Sequence, residues 1–266
     1  MEKDILENKK IAIIGNGHIG QAIVKGLINS GKIKKSNIFV SNKLNNVVVT
    51  KKADYIFIAV KPFVVKEVLK EIKSYKNKII LSVAAGVDLE TLLSYFNTDQ
   101  KIIRLMPNIL VSENKGIIGF YANKNVSDSV KNKVFKLTSL LGKVLVVKKE
   151  VDLDILTLIA GCGPAISAYF INLVSNYVIK QGFSKTESID MTLKIFEGTT
   201  YYLKKNNLTP SELMEFVATK GGVTETILST LNINKIDKQF ETAMKRGYHK
   251  IQRLKEKIKL QKKVGT

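Results

Sequence analysis

The feature that most restricts this chain is the run from Lys10 to Ile28, where a short apolar segment meets a glycine turn and then a helical pattern. The turn reads Gly15-Asn16-Gly17-His18-Ile19-Gly20, and Ala22, Ile23, Leu27 and Ile28 recur after it at helical spacing. Each glycine has a steric task. Gly15 permits the tight turn, Gly17 lets the backbone approach a pyrophosphate, and Gly20 lets the helix sit close on the strand. The helix N-terminus adds unpaired N–H groups and a positive dipole toward phosphate oxygens. An ordinary glycine-rich βα turn can carry the same letters, but here strand and helix flank them as dinucleotide binding requires. Ile14, Gly15, Asn16, Gly17, His18, Ile19 and Gly20 are therefore expected to contact a dinucleotide.

A second strand, Asn37 to Val40, ends at Ser41-Asn42-Lys43, and no Asp or Glu occurs from Asn8 through Ala53. A carboxylate at that strand end would bind the ribose 2′-hydroxyl of NAD and repel a 2′-phosphate. Its absence favours NADP over NAD, with Ser41, Asn42 and Lys43 as candidate contacts; a plain polar turn is the alternative. Further strands read as 55–60, 79–83, 101–105, 116–121 and 144–147, alternating with helical patterns such as Val64, Val68 and Ile72. That alternation implies an α/β fold, a Rossmann-type doubly wound sheet with a mainly parallel core. Ligands of such sheets lie at the carboxyl ends of the strands. Those ends here are Ala59-Val60-Lys61-Pro62, Ala84-Ala85-Gly86 and Met106-Pro107-Asn108, which together outline a cofactor cleft.

After residue 148 strand signals stop, which divides the chain into an expected domain 1–148 and an all-α domain 149–266. Gly161-Cys162-Gly163-Pro164 interrupts the pattern before a helix bearing Ile166, Phe170, Leu173, Val174 and Tyr177. Ile189, Leu193, Phe196 and Leu203 mark another. Thr209-Pro210-Ser211-Glu212 is a capping box, and the last helix strings Ile236, Phe240, Ala243, Gly247, Ile251, Leu254 and Ile258 on one stripe. So much apolar surface calls for a second copy, and a homodimer or higher homo-oligomer is expected. Gly198 and Gly247 fit either close helix approaches or tolerated glycines. The loop Thr219-Lys220-Gly221-Gly222-Val223-Thr224 opens a helix: it can hold a small carboxylate on its N–H groups with the Thr224 hydroxyl beside it, or simply be capped by Thr224.

Charge is the oddity of the composition. Among 266 residues, 43 Lys+Arg face 23 Asp+Glu, a formal +20 spread along the whole chain. Solvated background accounts for such a spread better than a nucleic-acid or membrane site does. The exception to weigh is the basic tail from Lys250 to Lys263. Apolar stretches such as Ala165 to Val174 fall short of a bilayer span, and Met1-Glu2-Lys3-Asp4 lacks a signal-peptide core. One cysteine, Cys162, and two histidines, His18 and His249, provide neither a disulfide framework nor a metal site. No Ser-His-Asp set is recognisable. The expectation is a cytoplasmic protein with no metal, no nucleic-acid partner and no membrane partner.

Six ordered blocks carry a resemblance that covers nearly the whole chain. They are Ile13-Ile14-Gly15-Asn16-Gly17-His18-Ile19-Gly20, Ala59-Val60-Lys61-Pro62, Ser82-Val83-Ala84-Ala85-Gly86, Arg104-Leu105-Met106-Pro107-Asn108, Gly161-Cys162-Gly163-Pro164-Ala165 and Gly221-Gly222-Val223-Thr224. In this order they resemble the pyrroline-5-carboxylate reductase family. The resemblance implies an N-terminal Rossmann domain, a C-terminal helical dimerisation domain, and reduction of a cyclic imine carboxylate to proline by NADPH or NADH. It further implies a nicotinamide near Ala84, Ala85 and Asn108, a substrate carboxylate on the N–H groups of Gly221, Gly222 and Val223 with Thr219 also a substrate contact, and a catalytic Thr224 on the ring nitrogen. The chain departs from the family pattern at Thr219-Lys220, Ile227, Cys162 and Ile109-Leu110. Between Lys43 and Asp54 a helix reads as deleted, leaving Val47 to Thr50 as a strand. These departures leave open a paralogue that reduces another imine or keto acid, or a non-catalytic sensing protein.

Overall fold

The computed structural model describes residues 8–41, 45–72, 77–96 and 99–263. Its strands are β1 (Ile11–Ile14), β2 (Ile38–Ser41), β3 (Tyr55–Ile58), β4 (Ile79–Ser82), β5 (Lys101–Pro107), β6 (Gly116–Ala122) and β7 (Gly142–Val146). The helices are α1 (His18–Asn29), α2 (Asn46–Lys52), α3 (Val65–Glu71), α4 (Leu89–Leu93), α5 (Asp128–Ser139), α6 (Asp152–Leu156), α7 (Gly163–Lys180), α8 (Lys185–Asn206), α9 (Pro210–Val217), α10 (Val223–Ile233) and α11 (Ile236–Lys263). One seven-stranded sheet runs β2-β1-β3-β4-β5-β6-β7. It is parallel except at β5 and β6, which pair antiparallel through a short 3-10 connection, Ile109–Glu113.

The period of two along each strand separates two cores. Ile11, Ile13, Tyr55, Phe57, Leu81 and Ile103 face one side, with Ile23 and Leu27 of α1 and Val134 and Leu137 of α5. Ala12, Ile14, Ile56, Ile58, Ile80 and Ile102 face the other, with side chains of α3 and α4 and with Ile258 of α11. Every position of β1, β3 and β4 is buried, as a parallel sheet covered on both faces requires.

The structure corrects the reading of Val47 to Thr50, which lie in α2 rather than in a strand. Val47 and Val48 are exposed while Val49 and Thr50 are buried, a helical pattern rather than an alternating one. The helix is held at both ends. Asn46 lies buried at its start, its Nδ2 donating to Glu71 Oε2 at 2.6 Å. At its end the Lys78 ammonium donates to the carbonyls of Thr50, Lys51 and Ala53 at 2.5, 2.6 and 2.7 Å, a cation on the negative pole of the helix.

The chain groups into two compact units, Met1–Pro164 with Gly247–Thr266, and Ala165–Arg246. The first unit keeps α6 because Gly119 of β6 has no side chain: a Cβ there would stand 2.8 Å from Leu153 Cδ2 and Leu156 Cδ1. It keeps the end of α11 because Lys255 Nζ lies 2.7 Å from Asp154 Oδ2, a carboxylate whose side chain is 2% exposed. Arg104 donates to Glu150 Oε1 at 2.7 Å, and that oxygen also accepts the Leu89 N–H at 2.7 Å, so β5, the start of α4 and the lead into α6 share one anchor. The sequence interruption at Gly161 to Pro164 is a π turn, Thr157–Gly161, closed by Cys162 N–H on the Thr157 carbonyl at 3.0 Å. Pro164 has no N–H to offer the Ala160 carbonyl. Asn108 Nδ2 takes that carbonyl instead, at 3.0 Å.

The π turn joins α6 and α7 into one helical run, Asp152–Lys180, that is long and apolar enough by length and composition to cross a membrane, with mean hydropathy 1.5. In the sequence Gly161 and Gly163 interrupt this run, so it reads as shorter apolar stretches. The start of the run packs in the first unit, where Leu153, Leu158 and Ala160 are buried. Within the second unit, α8 and α9 open with capping boxes, Ser184 with Glu187 and Thr209 with Glu212. Phe170 and Phe240 lie 6.2 Å apart. Among the described residues, none of the buried apolar side chains falls between 165 and 246, while Tyr169, Tyr177, Tyr201 and Phe216 are more than half exposed. Of the two glycines singled out, Gly247 is a close approach, its Cβ position 2.9 Å from Leu158 Cδ2, and Gly198 faces open space.

Burial alone would raise the Asp88 carboxyl, but hydrogen bonds from Thr91 and the Lys259 ammonium outweigh it and hold it below its ordinary value. A carboxylate lowered in this way stabilises the fold above about pH 4, and the contribution is lost as pH falls through the lowered value. For α2, Lys78→Met is expected to cost about 1–2 kcal/mol of stability, read as a lower urea midpoint.

Candidate functional site

The β1–α1 turn has the geometry its glycines foretold. Gly15 stands at φ +110°, and a Cβ on it would meet the Ala59 carbonyl oxygen at 2.4 Å; on Gly20 it would meet the Gly15 carbonyl oxygen at 2.1 Å. Both positions exclude any side chain. Gly17 differs, because a Cβ there would meet no atom of the chain within 4 Å. The space over Gly17 is open, which leaves room for a ligand to approach the backbone. Gly17 caps α1 with no side-chain oxygen on the first N–H groups and no acid in the first turn, so the positive end of the helix is uncompensated. Asn16, Gly17 and His18 are exposed, Ile19 is half-buried, and Ile14 lies in the core. Gln21 Nε2 donates to the Asn16 carbonyl at 3.0 Å and fixes the loop.

The strand ends gather as expected for a doubly wound sheet. Ala59 N–H donates to the Ile14 carbonyl at 2.7 Å, and Val60 Cγ1 lies 2.9 Å from the Cβ position of Gly15, so these two residues form the floor under the turn. Lys61 is exposed, its ammonium 6.0 Å from the Phe63 ring centre, and Pro62 begins a 3-10 turn. Ala84 is buried and Ala85 half-buried beyond β4. Asn108 stands at the end of β5, buried, with Nδ2 on the Ala160 carbonyl and Oδ1 accepting the Ile117 N–H at 3.4 Å. Its amide is thus engaged in holding the π turn.

Ser41 is not a surface contact. Its side chain is fully buried, and its hydroxyl lies 2.9 Å from Asn45 Oδ1 and 2.5 Å from Asn46 Oδ1, so it organises the start of α2. Asn42 and Lys43 lie outside the described residues.

In the second unit the loop before α10 divides its N–H groups between structure and solvent. Gly221, at φ +74°, donates its N–H to Glu225 Oε2 at 2.6 Å, and Gly222 donates to the Thr219 carbonyl at 2.9 Å. Two of the three N–H groups expected to hold a carboxylate are therefore occupied within the loop. Val223 and Thr224 are the first residues of α10, and neither their N–H groups nor the Thr224 hydroxyl has a partner among the described residues. Helix starts leave such donors open, and they favour an anion. Glu225, which sequence reasoning passed over, is legible only as the acid one turn after a left-handed glycine. Lys220 and Ile227 are exposed. Among the described residues no group of three or more His, Cys, Asp or Glu could hold a metal ion.

Comparison with known proteins finds family matches in both halves of the chain. Residues 150–254 match the family model described as pyrroline-5-carboxylate reductase dimerisation, and residues 10–86 match that of NADP oxidoreductase, coenzyme F420-dependent. The chain is 31% identical to a pyrroline-5-carboxylate reductase of Aquifex aeolicus, over 83% of this chain and 88% of that protein. With one from Bacillus subtilis it shares 29% identity, over 89% and 90% of the two lengths. Among solved structures, the pyrroline carboxylate reductase of Plasmodium falciparum with NADP bound aligns at a TM-score of 0.88 and 29% identity, covering 94% of this chain and 99% of that one.

The glycine geometry makes a paired prediction for thermal unfolding. Gly17→Ala is expected to leave the midpoint within about 2 °C of wild type, whereas Gly20→Ala, forced against a backbone carbonyl, lowers it by roughly 5 °C or more.

Proposed function

The chain belongs to the pyrroline-5-carboxylate reductase family, and from that premise we propose that it reduces the C=N bond of 1-pyrroline-5-carboxylate to give L-proline, the last step of proline biosynthesis. The observation that carries the reading is the likeness spanning both halves of the chain, the dinucleotide turn and the helical segment with its carboxylate loop together. NADPH, when bound, supplies the hydride. The chain's own residues supply position and charge.

Gly15, Gly17 and Gly20 bring the α1 N-terminus against the pyrophosphate, and Ala59, Val60, Lys61 and Pro62 line the turn beside it. Ala84, Ala85 and Asn108 border the nicotinamide end. In the second unit, the free N–H groups of Val223 and Thr224 hold the substrate carboxylate, while Glu225 and the Thr219 carbonyl keep Gly221 and Gly222 in the turn that presents them. The Thr224 hydroxyl hydrogen-bonds the ring nitrogen and steadies the proton that the nitrogen keeps as the imine becomes an amine. This division explains why no acid–base pair is conspicuous in the sequence.

Homo-oligomerisation belongs to the same reading, as a dimer or a multiple of it. It is supported by a helical unit that buries no apolar side chain of its own among the described residues. A second copy covering that surface also accounts for the exposed apolar run of α7. A cytoplasmic setting is supported by the exposed free thiol of Cys162.

Thr224→Ala is expected to lower kcat/KM for 1-pyrroline-5-carboxylate roughly 10- to 100-fold while NADPH affinity stays as in wild type. The readout is imine-dependent loss of NADPH absorbance beside calorimetric titration of the cofactor; failure of the wild-type protein to oxidise NADPH or NADH sinks the proposal. Light scattering of the eluting protein is expected to give a mass of at least two chains.

A further inference from the structure

We infer that the end of α11, residues 254–259, is a positioning clip for the turn from Ala84 to Asp88, and through it for the nicotinamide end of the cofactor. The inference rests on the assignment of Ala84 and Ala85 to the cofactor made above. Three contacts fix the turn. Gly86 stands at φ +74°, and a Cβ on it would lie 3.3 Å from Leu254 Cδ2, so the helix packs directly over the glycine. One turn later Ile258, 9% exposed, enters the same core as Val87, and the two residues line one small cavity. Next to it Lys259 Nζ lies 3.0 Å from Asp88 Oδ2 and 3.8 Å from Glu90 Oε2. The other oxygen of Asp88 accepts the Thr91 N–H at 2.9 Å, so the carboxylate that caps α4 is the one the clip grips.

The helix itself is fixed against sliding. Lys255 Nζ and Gln252 Nε2 reach Asp154 Oδ2 at 2.7 and 3.2 Å from the same side of α11. The ion-pair anchors lie beyond residue 254, where the matched dimerisation segment ends. They also give part of the basic tail a role inside the chain, since two of its cations, Lys255 and Lys259, face acids of the first unit. A turn that contributes backbone and methyl surface to a flat ring has no side chain with which to adjust its depth. Its placement must come from what it rests against, and α11 is what it rests against.

The test compares Lys259→Ala, Lys259→Arg and Leu254→Ala with wild type in the full-length protein. NADPH binding is titrated by calorimetry without any imine, and initial rates are measured separately with 1-pyrroline-5-carboxylate. Lys259→Ala and Leu254→Ala are expected to raise the NADPH Kd and KM roughly 3- to 10-fold. In the same proteins kcat at saturating NADPH and KM for the imine stay within about two-fold of wild type, and Lys259→Arg keeps wild-type affinity. Wild-type NADPH affinity in a folded Lys259→Ala protein overturns the clip. Lys259 is half exposed, so its substitution remains informative should Leu254→Ala fail to fold. Binding is read without turnover, which separates failure of the clip from failure of the reductase reading.

Discussion

The first unit depends on one constraint: its central strands are buried on both faces, so a layer of helices must cover each side. On one side α1 and α5 are near in sequence to the strands they cover. On the other, α3 and α4 are short, seven and five residues, and leave room that Leu254 and Ile258 of α11 fill. The last helix is therefore as much a part of the sheet's packing as the first. The half-buried pairs, Arg104 with Glu150 and Asp154 with Lys255, sit where these coverings meet the strands. Each takes charged groups out of water and is tolerated because both partners are present.

Function follows from that architecture by a division of labour. At the carboxyl ends of the strands, where the proposal places the cofactor, the chain presents mostly backbone and small side chains. In the proposed reading helix starts provide the donors, at α1 for phosphate oxygens and at α10 for a carboxylate.

Much of this was legible in the sequence because it is local or periodic. The glycine spacing of 15, 17 and 20 encodes contacts within one turn, and apolar runs such as Tyr55 to Ile58 encode double burial. The capping box of Thr209 and Glu212 is a four-residue signal, and it appears as read. What stayed hidden depends on which side chains come to meet which backbone groups, a few residues away or far along the chain. Ser41 reads as a polar strand end, and only the return of Asn46 and Glu71 to its neighbourhood makes its site a buried network. Gly221 and Gly222 read as free donors until Glu225 and Thr219 occupy them. Val47 to Thr50 has strand-forming composition, yet Lys78, more than twenty residues away, closes its carbonyls into a helix. The apolar stripe of α11 was plain, but nothing in its period says that one end covers a sheet to which the other end does not belong.

That return of the chain end bears on how the protein is made. A ribosome releases the glycine turn, the strands and the short helices α2 to α4 first, and the gap beside Val87 that Ile258 fills waits for residues about 170 positions downstream. The dinucleotide half, although encoded first, is finished last. Its packing is complete only when the final helix docks.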